Sequence, residues 1–130
     1  LASFDDHAIR ELESAAAGMP SALSTIVVWP MHGAVARGSG ADSPIAGRDA
    51  DVVVNVEAAW DDPMATTEHV EWVRETCRSF RTLDATPGTL PNFAGGSDPD
   101  AEAVYADEAA RLRAVRRTYD PDGVFAYERI

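Results

Sequence analysis

At 130 residues, 45% of them apolar and 25% charged, the chain has the composition of one soluble globular domain, long enough for a core but too short for two. Eleven basic against twenty-two acidic residues leave a net charge of -11, which repels phosphate backbones and sets nucleic-acid binding aside. No apolar run approaches the ~20 residues of a membrane span, and no basic segment leads into an apolar one as in a signal peptide. The single cysteine, Cys77, excludes an internal disulfide and fits a reducing cytoplasm.

In chain order, residues 5–17 read as a helix. Asp5 and Asp6 favour its start, Ile9, Leu12 and Ala16 make an apolar stripe, and Gly18 with Pro20 ends it. Ile26-Val-Val-Trp29 is a short apolar run of strand type. Met31-His-Gly33 reads as a bulge or kink, with the strand expected to continue through Ala34-Val-Ala-Arg37. The small-residue stretch 38–47 lacks the glycine pattern and the lysine of a phosphate loop, so it reads as a connection.

Residues 51–60 give the clearest strand, with Val52, Val54, Val56, Ala58 and Trp60 on one face and Val53, Asn55, Glu57 and Ala59 on the other. A helix follows over 66–83. Thr66 or Thr67 can cap it, or Asp62 with Pro63 at the first helical position. Its stripe is Val70, Val73, Cys77 and Phe80, with Trp72 off the stripe. Residues 84–97 read as irregular or extended. The last helix is expected over 99–118, capped by Asp98 before Pro99 and stopped by Tyr119-Asp-Pro-Asp-Gly123, after which Val124 and Phe125 form an apolar anchor.

The chemistry is sparse. His7, His32 and His69 are far apart and in no metal-ligand spacing, so each reads as a surface or packing residue. Cys77 on an apolar stripe reads as filler before nucleophile. No serine sits in a Gly-x-Ser-x-Gly elbow. No catalytic or metal-ligating residue is therefore assigned. Asn55 and Glu57, an amide and a carboxylate two residues apart, can orient a ligand. A solvated or interface face is the weightier reading of the two. The cluster Arg111, Arg113, Arg116 and Arg117 complements a helix C-terminus.

An Asn92-Phe loop, a helix with Arg111-Leu and Val115-Arg-Arg, and Tyr119-Asp-Pro-Asp-Gly-Val-Phe125 together resemble the closing segment of the FAD-linked oxidases of the berberine bridge enzyme type. In the middle, Gly33-Ala-Val-Ala-Arg37, Arg48 and Val52-Val-Val-Asn-Val-Glu-Ala-Ala-Trp60-Asp-Asp-Pro63 resemble two strands of that family's substrate domain. The resemblance implies one domain over 1–130, with 20–91 similar to the substrate domain and 92–130 to the family's C-terminal segment. It implies that Asn92 lies near a flavin, and that Arg37, Arg48, Asn55 and Glu57 belong to the substrate side. Arg37 stands roughly where plant members carry a catalytic base, a role closed to a guanidinium. Leu90 replaces the tyrosine of the family's Asn loop, and Gly47 the histidine before Arg48.

The fold expected is α+β: a small antiparallel sheet with strands near 23–37 and 51–60 and helices on one face. The antiparallel pairing rests mainly on the resemblance, and the short connection between strands disfavours a parallel crossover. FAD enters through the resemblance alone. The family's glycine-rich pyrophosphate loops and its flavin-attachment residues have no counterpart here, so tight FAD binding by this chain alone is not expected. Two functions stand side by side. One is the substrate-side and C-terminal part of an FAD-dependent oxidoreductase, incompetent without a flavin-binding domain. The other is a stand-alone α+β binding or structural module that pairs with itself. An open sheet edge and an uncovered Val53, Asn55, Glu57, Ala59 face call for a partner, a homodimer or a separate flavin-binding subunit, with Trp72 and Val124-Phe125 as contacts.

Overall fold

A computed structural model of the chain describes residues 1–37, 44, 47–83, 105 and 108–125. They contain four α-helices and one two-stranded antiparallel sheet, a mixed α+β fold. In chain order these are α1 (Asp6–Ala17), β1 (Thr25–Pro30), α2 (Ala34–Arg37), β2 (Val52–Glu57), α3 (Thr66–Leu83) and α4 (Ala109–Tyr119). They fall into two compact units, Leu1–His32 with Asp49–Thr86, and Gly33–Arg48 with Pro87–Ile130.

The first unit holds α1, the sheet and α3. Asp5 caps α1 as its sequence position suggests: one carboxylate oxygen accepts from the N–H of His7 at 2.9 Å and of Ala8 at 3.0 Å. At the other end three late carbonyls find donors. Gly18 N–H bonds to Ser14 O, Met19 N–H to Ala16 O, and the Trp72 indole N–H to Ala15 O at 3.3 Å. Trp72 is thus half-buried and bound to α1, where the helical stripe placed it outside the packing. The reason is that α1 lies beside α3 and takes up a second side of it.

The sheet pairs Thr25 with Glu57, Ile26 with Val56, Val27 with Asn55, Val28 with Val54, Trp29 with Val53 and Pro30 with Val52. β1 is shorter than expected. The chain leaves it at Pro30, Gly33 takes φ +67°, and residues 34–37 form the single turn α2 where the sequence suggested more strand. Only glycine enters that left-handed region without steric cost. β2 also ends early, at Glu57, before Ala58-Ala-Trp60.

Asp62 accepts from Met64 N–H at 2.9 Å and opens a 3-10 turn over Pro63–Ala65 that runs into α3, so the Asp62-Pro63 start is the one used. The buried residues of α3 are His69, Thr76 and Phe80. Val70, Val73 and Cys77 are half-buried along the margin of that stripe. α3 packs on β2 and on α1, and the fully buried apolar residues of the unit are Ala8, Ala15, Ala50, Val52 and Phe80. Trp60, just past β2, stacks on His69 with ring centroids 4.9 Å apart and planes inclined by 12°. Its indole N–H donates to Thr66 Oγ1, which donates to Pro63 O, tying the ring to the start of α3.

The second unit holds α2 and α4. The Asp98-Pro99 cap lies outside the described residues, and the described helix begins at Ala109. The stop is as the motif suggests: Gly123 takes φ +67°, and Asp120 accepts from Val124 N–H at 2.7 Å and Phe125 N–H at 3.1 Å. The Val124-Phe125 anchor, expected to dock, is instead 76% and 85% exposed. Its backbone is held by the Asp120 carboxylate while its side chains face outward.

Two predictions follow from this packing. The Ala8 backbone N–H above all, then that of His7 and the charges of His7 and Arg10, hold the Asp5 carboxyl below its ordinary value, against a smaller opposing effect of desolvation. A lowered folded value means that the stabilisation is complete above the unfolded pKa of about 3.9 and is lost as pH falls through the lower folded one. In circular-dichroism melts, Asp5→Ala lowers Tm at neutral pH. Asp5→Asn keeps the cap and loses less stability than wild type on acidification below pH 4.

The second concerns His69, whose buried Nδ1 has no hydrogen-bond partner. His69→Phe keeps a ring on Trp60 and removes an unpaired buried polar atom, so its stability equals or exceeds wild type. His69→Ala opens a cavity and costs roughly 2–5 kcal/mol in urea unfolding.

Candidate functional site

The antiparallel register decides what the sheet can present. Ile26 and Val28 share one face with Val54 and Val56, an all-aliphatic surface. The opposite face carries Thr25, Val27 and Trp29 from β1 against Glu57, Asn55 and Val53 from β2. On that face the Asn55 side-chain N–H donates to a Glu57 carboxylate oxygen at 2.7 Å. The amide carbonyl and the second carboxylate oxygen are the remaining acceptors of this exposed pair. Trp29, 47% exposed, lies directly opposite Val53 and adds a flat apolar surface beside the polar pair. The arrangement can bind and orient a ligand that carries donor groups on an apolar body. It contains a pair of acceptors and no second titratable group for proton relay.

The other substrate-side candidates belong to the second unit. Arg37 is exposed at the last position of α2, where its charge suits the helix C-terminus. Arg48 is half-buried, and its Nε–H donates to Val35 O at 2.9 Å, satisfying a carbonyl of that single turn. Asn92 lies outside the described residues, as do Leu90 and Pro91. The structure brings Asn55 and Glu57 together in one hydrogen-bonded pair, with Arg37 ending α2 and Arg48 following it in sequence.

Sequence reading passed over Trp29 and the Trp60–His69 stack. The only local signal for Trp29 was its two-residue offset from Val27. That offset means nothing for Asn55 until the strand register is known. Of the three histidines, each read from sequence as a surface or packing residue, His69 packs at 4% exposure, while His7 and His32 are exposed. Among the described residues no group of three His, Cys, Asp or Glu side chains could hold a metal ion, and no helix is long and apolar enough to cross a membrane.

A flavin dinucleotide needs a seat for its pyrophosphate, most simply a helix N-terminus with open N–H groups. Two of the described helix starts are already taken: Asp5 caps α1 and Asp62 the turn leading into α3, each setting a carboxylate on the open N–H groups. At α4 the Glu108 carboxylate makes no cap bond and pairs with Arg111 instead.

No family model matches the sequence. Among characterised proteins, the chain is similar to an FAD-linked oxidoreductase of Pyricularia oryzae, with 35% identity over 104 residues, 72% of this chain. The matched stretch is 20% of that relative's length, so the chain corresponds to about a fifth of it.

Proposed function

We propose that the chain is the substrate-side and C-terminal part of an FAD-dependent oxidoreductase of the berberine bridge enzyme type, competent only when a flavin-binding domain meets it. The observation that carries this is the 35% identity to an FAD-linked oxidoreductase over most of the chain but a fifth of the relative. On this reading 1–130 is one domain, 20–91 its substrate side and 92–130 its closing segment, at work in the cytoplasm. Bound FAD accepts the electrons of the oxidation, and the protein around it binds and orients. The acceptor pair Asn55–Glu57 and the Trp29 surface hold the substrate by its donor groups and its apolar body. Arg37 and Arg48 contribute charge on the substrate side, and Asn92 stands near the flavin.

The flavin is held by other polypeptide; among the described residues Asp5 and Asp62 already cap the starts of α1 and of the turn leading into α3. The outward Tyr119, Val124 and Phe125, 81%, 76% and 85% exposed, supply apolar surface for that partner. The same surface favours a second reading, a stand-alone module that pairs two copies of itself across it without a flavin partner.

Purified alone, the chain should be colourless after gel filtration. Mixed or co-expressed with a flavin-binding domain of the family, it should form a yellow complex with oxidase activity. In that complex Asn55→Ala and Glu57→Gln should each lower kcat/KM roughly tenfold or more, about 1.4 kcal/mol of transition-state binding. Both are surface changes, so melting of the chain should stay within about 0.5 kcal/mol of wild type. Stoichiometric flavin retained by the chain alone overturns the division of labour. A dimeric mass in light scattering with no complex formed selects the second reading.

A further inference from the structure

The acceptor pair stands at the end of the sheet. The Met31 N–H donates to Asp51 O at 2.8 Å, one step past Pro30 and Val52. Ladder bonds of an antiparallel pair join every second opposed pair, so the bonded ones here are Trp29–Val53, Val27–Asn55 and Thr25–Glu57. Asn55 and Glu57 thus occupy the last bonded steps of β2, and the strand stops at Glu57. Strand ends open more readily than strand centres. The Asn55–Glu57 bond, 2.7 Å long, is exposed to water, which competes for both groups. It lasts only while the backbone keeps residues 55 and 57 extended and side by side.

Beyond Glu57 the chain is held at Ala59 and at Trp60. Ala59 N–H donates to Ser24 Oγ at 3.4 Å, longer than the usual N–H···O bond. Trp60 is held far better. Its ring stacks on His69 with centroids 4.9 Å apart, and its indole N–H donates to Thr66 Oγ1 at 3.1 Å. His69 makes a firm platform, in the first turn of α3 and 4% exposed. Its Nδ1 is buried without a hydrogen-bond partner, so on that side the ring gives the fold no polar bond. What it gives is its flat face, and Trp60 uses it. Three residues of chain reach at most about 10 Å, so a fixed Trp60 leaves Glu57 little room to swing.

We propose that Trp60 and His69 are positioning residues: their stack pins the chain just past the sheet and so keeps the Glu57 carboxylate on the Asn55 amide. The consequence for a bound substrate rests on the reading of that pair given above. The pinning itself rests on the hydrogen bonds and the ring contact of the first unit. Released from the stack, the end of β2 frays, the two side chains part, and their remaining acceptors lose a fixed spacing.

The test is two-dimensional NMR of the full chain, reading hydrogen exchange of the Asn55 side-chain amide, assigned by its loss in Asn55→Ala. Trp60→Leu removes the stack and should speed exchange of the amide proton bonded to Glu57 roughly fivefold or more. Thr66→Val, an exposed change that removes only the acceptor of the indole, should speed it about twofold even where Trp60→Leu does not fold. His69→Phe keeps a flat ring under Trp60 and should leave the rate as in wild type. So should Phe80→Leu, which loosens α3 at its far end. Exchange unchanged in the folded members of the first two variants overturns the proposal. Exchange sped as much by His69→Phe also overturns it, since the flat face is then not what holds Trp60. The same speeding by Phe80→Leu does so too, because it reports general loss of stability. Neither flavin nor substrate enters this readout. In the complex with a flavin-binding domain, Trp60→Leu should lower kcat/KM as far as Asn55→Ala does. An unchanged kcat/KM beside a lost bond leaves the positioning standing and overturns the substrate reading of the pair.

Discussion

The first unit depends on how closely α3 can approach its neighbours. With His69, Thr76 and Phe80 buried, it packs on β2 and on a helix whose own buried residues are Ala8 and Ala15. Alanine contributes little area, but it lets a facing helix come near, and the contact is then made by the larger partner's side chains. Phe80, at 6% exposure, supplies the bulk; complete burial of such a ring is worth roughly 1.5–3 kcal/mol. Trp72 adds a polar tie to the α1 terminus, and Trp60 lies over His69 at the start of α3. Helix, helix and sheet are joined through one element, and the acceptor pair on β2 is only as fixed as that element.

Acidic residues shape the backbone as much as the charge. With twice as many carboxylates as basic groups, at least half of the acids have no cationic partner of their own. Several bond to main-chain N–H groups instead. Asp5 and Asp62 cap helical starts, Asp51 holds Phe4, and Asp120 holds Val124 and Phe125. Such bonds are charge-assisted and use donors that helix ends and turns leave over. Two of these placements, Asp5 and Asp62, also set negative charge at helical starts.

Much of the fold was legible in the sequence because it is local. The Asp5 cap, the Asp62-Pro63 start, the extent of α3 and the Asp-Pro-Asp-Gly stop are decided within a few residues, and the structure has all of them. The end of β1 was misread because Ala34-Val-Ala-Arg37 has no period that separates one helical turn from strand; the left-handed Gly33 decides it. Trp72 was misplaced because a second helix, distant in sequence, packs on the side that periodicity leaves free. The candidate site was half visible. Asn55 and Glu57 are two apart on one strand and had to share a face, but their bond and the nearness of Trp29 needed a register that no single strand encodes.

Pro30 gives the sheet a direction. It occupies a position of β1 whose nitrogen faces outward, where a missing N–H costs no ladder bond. The outer edge of β1 is thereby shortened to the groups of Ile26 and Val28, while on β2 Leu1 takes those of Val52. A sheet extends into a filament only when each added unit offers a second willing edge. A proline on an edge works against such repetition, which a six-residue valine-dense strand otherwise invites.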